Sequence, residues 1–392
     1  MSLWEFVAGV VLLFWLAIVA DLRRWWPSNW RLHPTDDQVR RDVAKTLVTA
    51  IVPARNEAET LPETLPALLG QKETLGRVVV VDDRSSDGTG DLARRLGAEG
   101  EVLLTVVDAK DCPVGWTGKL NALQAGVEVV AAECESSERD GWYLFTDADI
   151  LHPSDSVARL LACAQEGSYE LVSTMVRLRA NSFWERLLVP PFIYFFQLLY
   201  PFRRVSDPRS KVAAAAGGCV LIRASALVRA GGLEQIRDAL IDDVALARTV
   251  KDAGGRCWLG IDPDMLSLRR YDTLGEFVNM VARTAFTELR YRYSMVLVTW
   301  LFLAFFFAGP PVLLGVSLAM REWTAVMLSA LGWGLQVATI APVVRHQQVA
   351  PVFSLLLPVA AIVYAYMTTV SAWRHFRRQP VRWRDAARSA EG

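Results

Sequence analysis

The chain has 392 residues, is 52% hydrophobic and 21% charged, and carries Lys+Arg and Asp+Glu in equal number, 42 each. It is too apolar for an ordinary soluble enzyme and too charged for a purely membrane-embedded one, so a globular part and a membrane part are expected. The charge balance excludes the global basic field that draws nucleic acid. Five scattered cysteines, Cys112, Cys134, Cys163, Cys219 and Cys257, show no C-x-x-C and no nearby histidine spacing. They read as buried reduced thiols in a cytosolic domain, against a disulfide scaffold or a zinc site. His33, His152, His346 and His375 accompany no plausible nucleophile.

Residues 3–20 form an apolar run whose only charge is Glu5, followed by Asp21-Leu-Arg-Arg-Trp-Trp and then Arg31. Length, tryptophans and arginines fit a spanning helix, an interfacial belt and a cytoplasmic flank. A signal peptide would carry its positive charge ahead of the apolar core and end in a small-residue cleavage site, and this stretch does neither. Residues 1–24 are therefore expected to be an N-terminal anchor.

From Thr46 strands alternate with helices, the mark of a mainly parallel sheet. Strands are expected at 47–52, 77–81 and 102–107 and from Trp142 to Asp147, with helices at 59–69, 91–96 and 120–132. Each strand delivers polar residues at its C-terminal end, where open α/β sheets bind ligands. The first ends in Pro53-Ala-Arg-Asn-Glu57 and the second in Asp82-Asp83-Arg-Ser-Ser-Asp87-Gly88-Thr89. Asp82 and Asp83 suit the N–H of a base or ribose hydroxyls, or simply a turn and helix cap. Lys119, after Gly118 at a helix start, suits phosphate through charge and backbone N–H groups, or is a surface lysine.

In an extended chain residues i and i+2 point the same way, so Asp147 and Asp149 face one point beyond their strand. Two hard oxygen ligands there suit Mg2+ or Mn2+, which completes its octahedron with water and a diphosphate. The plain alternative is a solvated strand end with turn-forming aspartates. Asp262-Pro-Asp264 repeats the pattern without other strand-end motifs around it.

A helix at 155–165 and a strand at 171–176 follow. Residues 183–202 are aromatic but interrupted by Glu185, Arg186, Pro190, Pro191 and Pro201, which favours a broken amphipathic element in the membrane interface over a span or a buried core helix. Residues 213–223, with Gly217-Gly218, read as a strand allowing close backbone approach. Asp242-Asp243 open a helix at 240–251 and are the candidates for a general base, because adjacent carboxylates facing a crevice can raise one pKa; matching the helix dipole is the plain alternative. Arg283, on a helix at 277–289, could neutralise a departing diphosphate or sit at the membrane interface.

Membrane segments are expected within 295–373, at 295–319 (interrupted by Gly309-Pro310-Pro311), 323–343 and 352–373. The tail 374–392 carries six Arg against one Asp up to Arg388 and should be cytoplasmic. With a cytoplasmic catalytic part, three full C-terminal spans would put that tail outside. One segment is therefore expected to be re-entrant, and the Gly-Pro-Pro break marks the first of them.

Pro53-Ala-Arg-Asn-Glu57, Val81-Asp-Asp-Arg-Ser-Ser-Asp-Gly-Thr89, Gly118-Lys119, Thr146-Asp-Ala-Asp149, Gly217-Gly218 and Asp242-Asp-Val-Ala-Leu246, in that order, resemble the family 2 glycosyltransferases. Within them the chain is most similar to the membrane-bound ceramide-glucosyltransferase-like branch, and closest to bacterial hopanoid-associated members. The resemblance implies a GT-A fold over residues 46–293, an α/β Rossmann-like mainly parallel sheet with flanking helices, between N- and C-terminal transmembrane helices. It implies a nucleotide-diphospho-sugar donor (a UDP-sugar), inversion at the anomeric carbon, and Mg2+ or Mn2+. Pro53, Arg55, Glu57 and Asp83 would line the nucleotide pocket, Asp147 would lie near ribose and metal, Asp149 would ligate the metal, and Asp243 would be the base. The family's Glu-Asp is Asp242-Asp243 here, and its Gln/Arg-x-x-Arg-Trp motif is reduced to Arg283. The expectation is a multi-pass bacterial inner-membrane enzyme, with a cytoplasmic catalytic domain and a lipid acceptor such as a hopanoid. A short-chain polysaccharide synthase, which needs several full spans, and a non-catalytic membrane scaffold are the rival readings.

Overall fold

The computed structural model describes residues 2–22, 31–33, 46, 48–98, 100, 102–133, 141–379, 382–383 and 386–387. The Arg-Arg-Trp-Trp cluster after the first helix, Cys134, and Arg384 and Arg388 of the tail lie outside the described residues. The globular part is built on one eight-stranded sheet: β1 (Val48–Ala54), β2 (Leu75–Asp82), β3 (Leu103–Asp108), β4 (Trp142–Thr146), β5 (Ile150–Leu151), β6 (Leu171–Leu178), β7 (Cys219–Arg223) and β8 (Cys257–Ser267). Its order is β3-β2-β1-β4-β7-β6-β8-β5. β1, β2, β3 and β4 pair in parallel, as do β6 and β8, while β7 runs antiparallel between β4 and β6. Ala50, Ile51, Val78, Val79, Val80 and Val81 are fully buried, because helices cover both faces and β1 and β2 read as continuous apolar runs.

Three expectations for the strands and helices around the sheet change. β8 is an eleven-residue strand that the sequence presents only as a short apolar run, because Pro263 demotes it. The ladder to β6 jumps from Val176↔Asp262 to Arg177↔Leu266, so Pro263, Asp264 and Met265 bulge out. The strand expected at 213–223 is confined to Cys219–Arg223. The helix expected at 277–289 divides into Leu274–Ala282 and Ala285–Glu288 at Arg283-Thr284.

Residues 183–202, expected to be broken, run as one helix, Phe183–Leu199, through Pro190 and Pro191. Ser182 and Glu185 form a capping box at its start. Tyr194 Oη shares a hydrogen bond with Thr339 Oγ1 at 2.9 Å, and Tyr364 Oη donates to the Leu188 carbonyl at 2.8 Å. The helix is thereby fixed to the apolar bundle.

Four segments are long and apolar enough to cross a membrane: Leu3–Asp21, Tyr293–Ala319, Trp323–His346 and Pro351–Phe376. Tyr293–Ala319 stays helical through Gly309-Pro310-Pro311, with a π-helical stretch at Leu303–Ala308 just before it. Pro310 and Pro311 lack N–H groups, so the carbonyls four residues back, Phe306 and Phe307, lose their usual α-helical donors. Trp15 Nε1 donates to the Phe306 carbonyl at 2.9 Å and Gln336 Nε2 to the Phe307 carbonyl at 2.9 Å. In hydrocarbon no water could do so. The Gly-Pro-Pro sequence is thus accommodated by two other helices and does not end this one. Trp15→Phe or Gln336→Leu should each lower stability by about 1–3 kcal/mol, the cost of an orphaned buried carbonyl, read as a lower midpoint in thermal unfolding of the detergent-solubilised protein.

Candidate active site

The C-terminal ends of β1, β2 and β4 converge on one crevice. Lys119 begins the helix Gly118–Glu133, and its Nζ lies 2.8 Å from Asp147 Oδ1 and 3.4 Å from Asp242 Oδ2. It also donates to the Gly217 carbonyl at 3.3 Å. A Cβ on Gly217 would stand 3.2 Å from Asp243 Oδ2 and 3.3 Å from Lys119 Nζ, tighter than most real contacts, so glycine there lets the acidic helix start meet the lysine. Pro53, Thr146, Asp147, Gly217, Asp242 and Asp243 line the cleft, over an apolar base that includes Leu120 and Phe145.

Burial works against the Lys119 charge, but Asp147 and Asp242 hold it protonated well above the ordinary lysine range. Asp147 is pushed up by burial and by Asp149, against the pull of Lys119. Burial and the neighbouring Asp242 carboxylate push Asp243 up to about 7, although Lys119 and the Val244 N–H, 2.8 Å from Oδ1, favour its charged form. Asp149 is buried and accepts a 2.6 Å hydrogen bond from Ser267 Oγ, and the Leu268 N–H binds its carbonyl at 2.9 Å.

At the ends of β1 and β2, Asp83 is fully buried and takes Arg55 Nη1 at 2.9 Å and Arg84 Nε at 3.3 Å. The two strand-end loops are stitched together: the Asn56 N–H donates to Ser85 Oγ, the Glu57 N–H to Thr89 Oγ1 and the Ser86 N–H to Asn56 Oδ1. Asp82 belongs to this stitching, accepting the Ser85 N–H at 3.0 Å, and a Cβ on Gly90 would come 2.6 Å from its Oδ2. His152 Nε2 lies 2.8 Å from Thr146 Oγ1 and Nδ1 lies 3.1 Å from Ser156 Oγ, and burial and Arg159 push it down to about 4. It is a neutral brace under the Asp147 loop.

Arg55, Glu57, Asp83, Lys119, Asp147, Asp149, Asp242 and Asp243 thus share one end of the sheet. Arg283 does not join their contacts. It is exposed at the end of Leu274–Ala282 and forms no ion pair among the described residues. The cation near the strand-end carboxylates is Arg269, whose Nη1 lies 3.8 Å from Glu57 Oε1 and which feels the charges of Asp149 and Asp147. Ser267 and Arg269 escape sequence reading because both depend on β8. The second Asp-x-Asp is structural. Asp262 is fully buried and takes Arg159 Nη2 at 3.0 Å, and its Oδ1 accepts the Asp264 N–H at 2.9 Å within the bulge.

A mainly parallel sheet with flanking helices, gathering the Asp83–Arg55 pair, strand-end carboxylates and an acidic helix start, is the GT-A architecture. Residues 49–230 match the family described as Glycosyl transferase family 2, so the chain carries a family 2 glycosyltransferase domain. The undecaprenyl-phosphate 4-deoxy-4-formamido-L-arabinose transferase of Aeromonas hydrophila is 29% identical over 144 residues, 36% of this chain and 40% of that one. Its Shewanella sediminis counterpart is 29% identical over 140 residues, 34% of this chain and 38% of that one. The chain thus spans about two fifths of the length of these relatives. The mannosyltransferase PcManGT from Pyrobaculum calidifontis, solved with GDP-Man and Mn2+, superposes with a TM-score of 0.53 at 18% identity, covering 96% of this chain and 100% of that one. That likeness supports the fold.

The two Asp-x-Asp motifs should separate on substitution. Asp149→Asn is expected to lower turnover about 100-fold or more with little change in unfolding midpoint. Asp262→Ala, which takes from Arg159 its fully buried partner and leaves it Asp155 at 3.1 Å, should cost about 1–3 kcal/mol of stability. Donor-turnover assays and thermal unfolding of both variants make the comparison.

Proposed function

We propose that the protein is a membrane-bound inverting glycosyltransferase that moves a sugar from a nucleotide-diphospho-sugar, a UDP-sugar, to a hydroxyl of a membrane lipid, at the cytoplasmic face of a bacterial inner membrane. A hydroxylated polycyclic lipid of the hopanoid kind fits the resemblance of the chain. The observation that carries the reading is the Lys119 bridge, which joins the Asp147 end of the crevice to the Asp242-Asp243 end.

Arg55, Glu57 and Asp83 hold the nucleotide, with Pro53 and Asp82 shaping the loops around it. Asp243 takes the proton of the acceptor hydroxyl as its oxygen attacks the anomeric carbon in line. The bond from that carbon to the diphosphate oxygen breaks, and the electron pair leaves with the nucleoside diphosphate. Lys119 and Arg269 offset the charge that develops there. The residues present fit a divalent cation: Asp147 is pushed up by burial and then by the charge of Asp149, crowding that an Mg2+ or Mn2+ would relieve. Asp147 and Asp149 would hold that ion, which as a Lewis acid stabilises the leaving diphosphate. Arg283, away from the crevice contacts, is best read as an interfacial residue.

A base that titrates near 7 is active in its deprotonated form, so kcat should fall tenfold per pH unit below about 7 and level off above it. Asp243→Asn should lower transfer about 100-fold or more and leave donor affinity near normal. It also removes a buried charge whose ionisation is disfavoured, so its unfolding midpoint at pH 8 should equal or exceed that of the parent. Loss of donor affinity in this variant would make Asp243 a pocket residue.

For the membrane part we favour three crossings, with Pro351–Phe376 as the segment that does not cross. What supports this is that both of its ends attach to the globular part. Phe353 packs on Phe183, with ring centroids 6.1 Å apart. At the other end Ser371 Oγ donates to the Ala282 carbonyl at 2.6 Å and accepts the Phe286 N–H at 3.0 Å, and Arg374 Nη2 donates to Asn279 Oδ1 at 2.6 Å. The parity conflict then disappears, and the tail and catalytic domain share the cytoplasm. A reporter that fluoresces only in the cytoplasm, fused after Gly392, should be bright, and one active only outside should be silent. The opposite pair of results would mean four crossings.

A further inference from the structure

Arginines that the crevice does not use gather where the apolar bundle leaves the globular part. Arg290 and Arg292 lie in the short link between the helix Ala285–Glu288 and the segment Tyr293–Ala319, and Arg377 and Arg378 directly follow the segment Pro351–Phe376. The link is a tight turn: Arg290 and Tyr291 both hold left-handed backbone, with φ of 51° and 58°, and the Tyr291 N–H donates to the Phe286 carbonyl at 3.1 Å. Aromatic rings join it to the end of the other segment. Tyr291 stacks on His375 with centroids 4.8 Å apart, and Phe286 lies 5.3 Å from His375 and 4.9 Å from Tyr293. Arg290, Arg292, Arg377 and Arg378 are all exposed, and none forms an ion pair among the described residues. Apolar surface accompanies them, because Tyr291, Tyr293, Trp373 and Phe376 are 45–66% exposed and the Arg377 guanidinium stands 4.8 Å over the Trp373 ring. The far end of Tyr293–Ala319 has no such excess, since its turn carries Arg321 beside Glu322, one charge of each sign.

We propose that this junction is a docking site for an anionic phospholipid of the leaflet facing the globular part, with the lipid phosphate taken by the Arg290-Arg292 turn and the Arg377-Arg378 helix end together. The inference is independent of the transferase chemistry and rests only on the placement of the bundle in a membrane. Guanidinium groups bind phosphate oxygens through paired N–H donors, and each one near an anionic headgroup adds to the attraction. Four of them without carboxylate partners favour a net negative lipid over a zwitterionic one, whose cationic group they repel. The exposed rings favour a lipid over a soluble anion. Tyr and Trp at the end of an apolar segment sit at headgroup depth, where the ring meets the upper acyl chains and the polar edge meets water. A free phosphate would leave that apolar surface uncovered.

The test is native mass spectrometry of the full chain in nonionic detergent, titrated with phosphatidylglycerol or with phosphatidylcholine of the same acyl chains. Phosphatidylglycerol adducts are expected at about tenfold lower lipid concentration than phosphatidylcholine adducts. The double variants Arg290→Gln/Arg292→Gln and Arg377→Gln/Arg378→Gln should each remove most of that preference. Arg321→Gln, at the far end of Tyr293–Ala319, should keep it. All these positions are exposed, and unfolding midpoints equal to that of the parent verify that the variants are folded. Glycerol phosphate, which carries the headgroup chemistry without acyl chains, should not displace the bound lipid. Equal binding of the two lipids, a preference kept by either double variant, or one lost equally in Arg321→Gln would overturn the site. Displacement by glycerol phosphate would make it a soluble-anion site and overturn the lipid assignment.

Discussion

One ammonium group holds the site together. Lys119 comes from a helix start, Asp147 from a strand end and Asp242 from another helix start more than a hundred positions later, and the carboxylates would repel one another without it. The antiparallel strand β7 makes the meeting possible. Inserted between β4 and β6, it brings Gly218 against the end of β4, where the Gly218 carbonyl accepts the Asp147 N–H at 3.2 Å and Thr146 Oγ1 at 3.0 Å. Gly217 is then the neighbour of both Lys119 and Asp243, and its missing side chain is the space they occupy. The Asp147 end and the Asp242-Asp243 end of the crevice are coupled through backbone pairing as well as through charge.

The same packing ties the crevice to the bundle. One continuous buried cluster runs from Val11 and Trp15 in the first helix, through Tyr194 and Tyr364, to Ile51, Leu120 and Phe145 beneath the cleft. Buried tyrosines need partners for their hydroxyls, and here Tyr194 and Tyr364 find them across the boundary between globular and apolar parts. The sheet is therefore not a soluble domain on a tether. Its orientation relative to the apolar helices is set by close-packed contacts, which transmit small displacements poorly tolerated by a core. A crevice so mounted holds the Asp242–Asp252 helix in a fixed place relative to the apolar helices.

Much of this was legible in the sequence, because the signals were local. Apolar runs closing on polar residues marked β1, β2 and β4, but the i, i+2 rule does not reach Asp147 and Asp149, because β4 ends at Thr146 and the chain then turns, the Ile150 N–H donating to the Asp147 carbonyl at 3.2 Å. Chain distance defeated the rest. Pro263 hid β8, and with it Ser267, which reaches Asp149 across 118 positions. The Gly309-Pro310-Pro311 break could not reveal that Trp15, 291 positions away from Phe306, supplies a missing donor. Pro190 and Pro191 likewise suggested an interrupted element, where tertiary contacts carry a single helix through. Arg283 survives from a motif, yet the cation near the strand-end carboxylates is Arg269, visible only once β8 is drawn.

The two Asp-x-Asp sequences show why pattern alone does not assign chemistry. Asp262 meets the Arg159 guanidinium in the core and caps the N–H groups of its own bulge, so its charge is matched inside the protein and has nothing to offer a ligand. Asp149 is nearly as buried, but its hydrogen-bond partner is a neutral hydroxyl, and Arg269 acts on it through its field. A carboxylate oriented by a hydroxyl is not neutralised by its partner, whereas Asp262, paired with a guanidinium in the core and away from the crevice, is. The difference lies in the chemistry of the partner, and each partner is set by a strand pairing that the dipeptide pattern cannot encode.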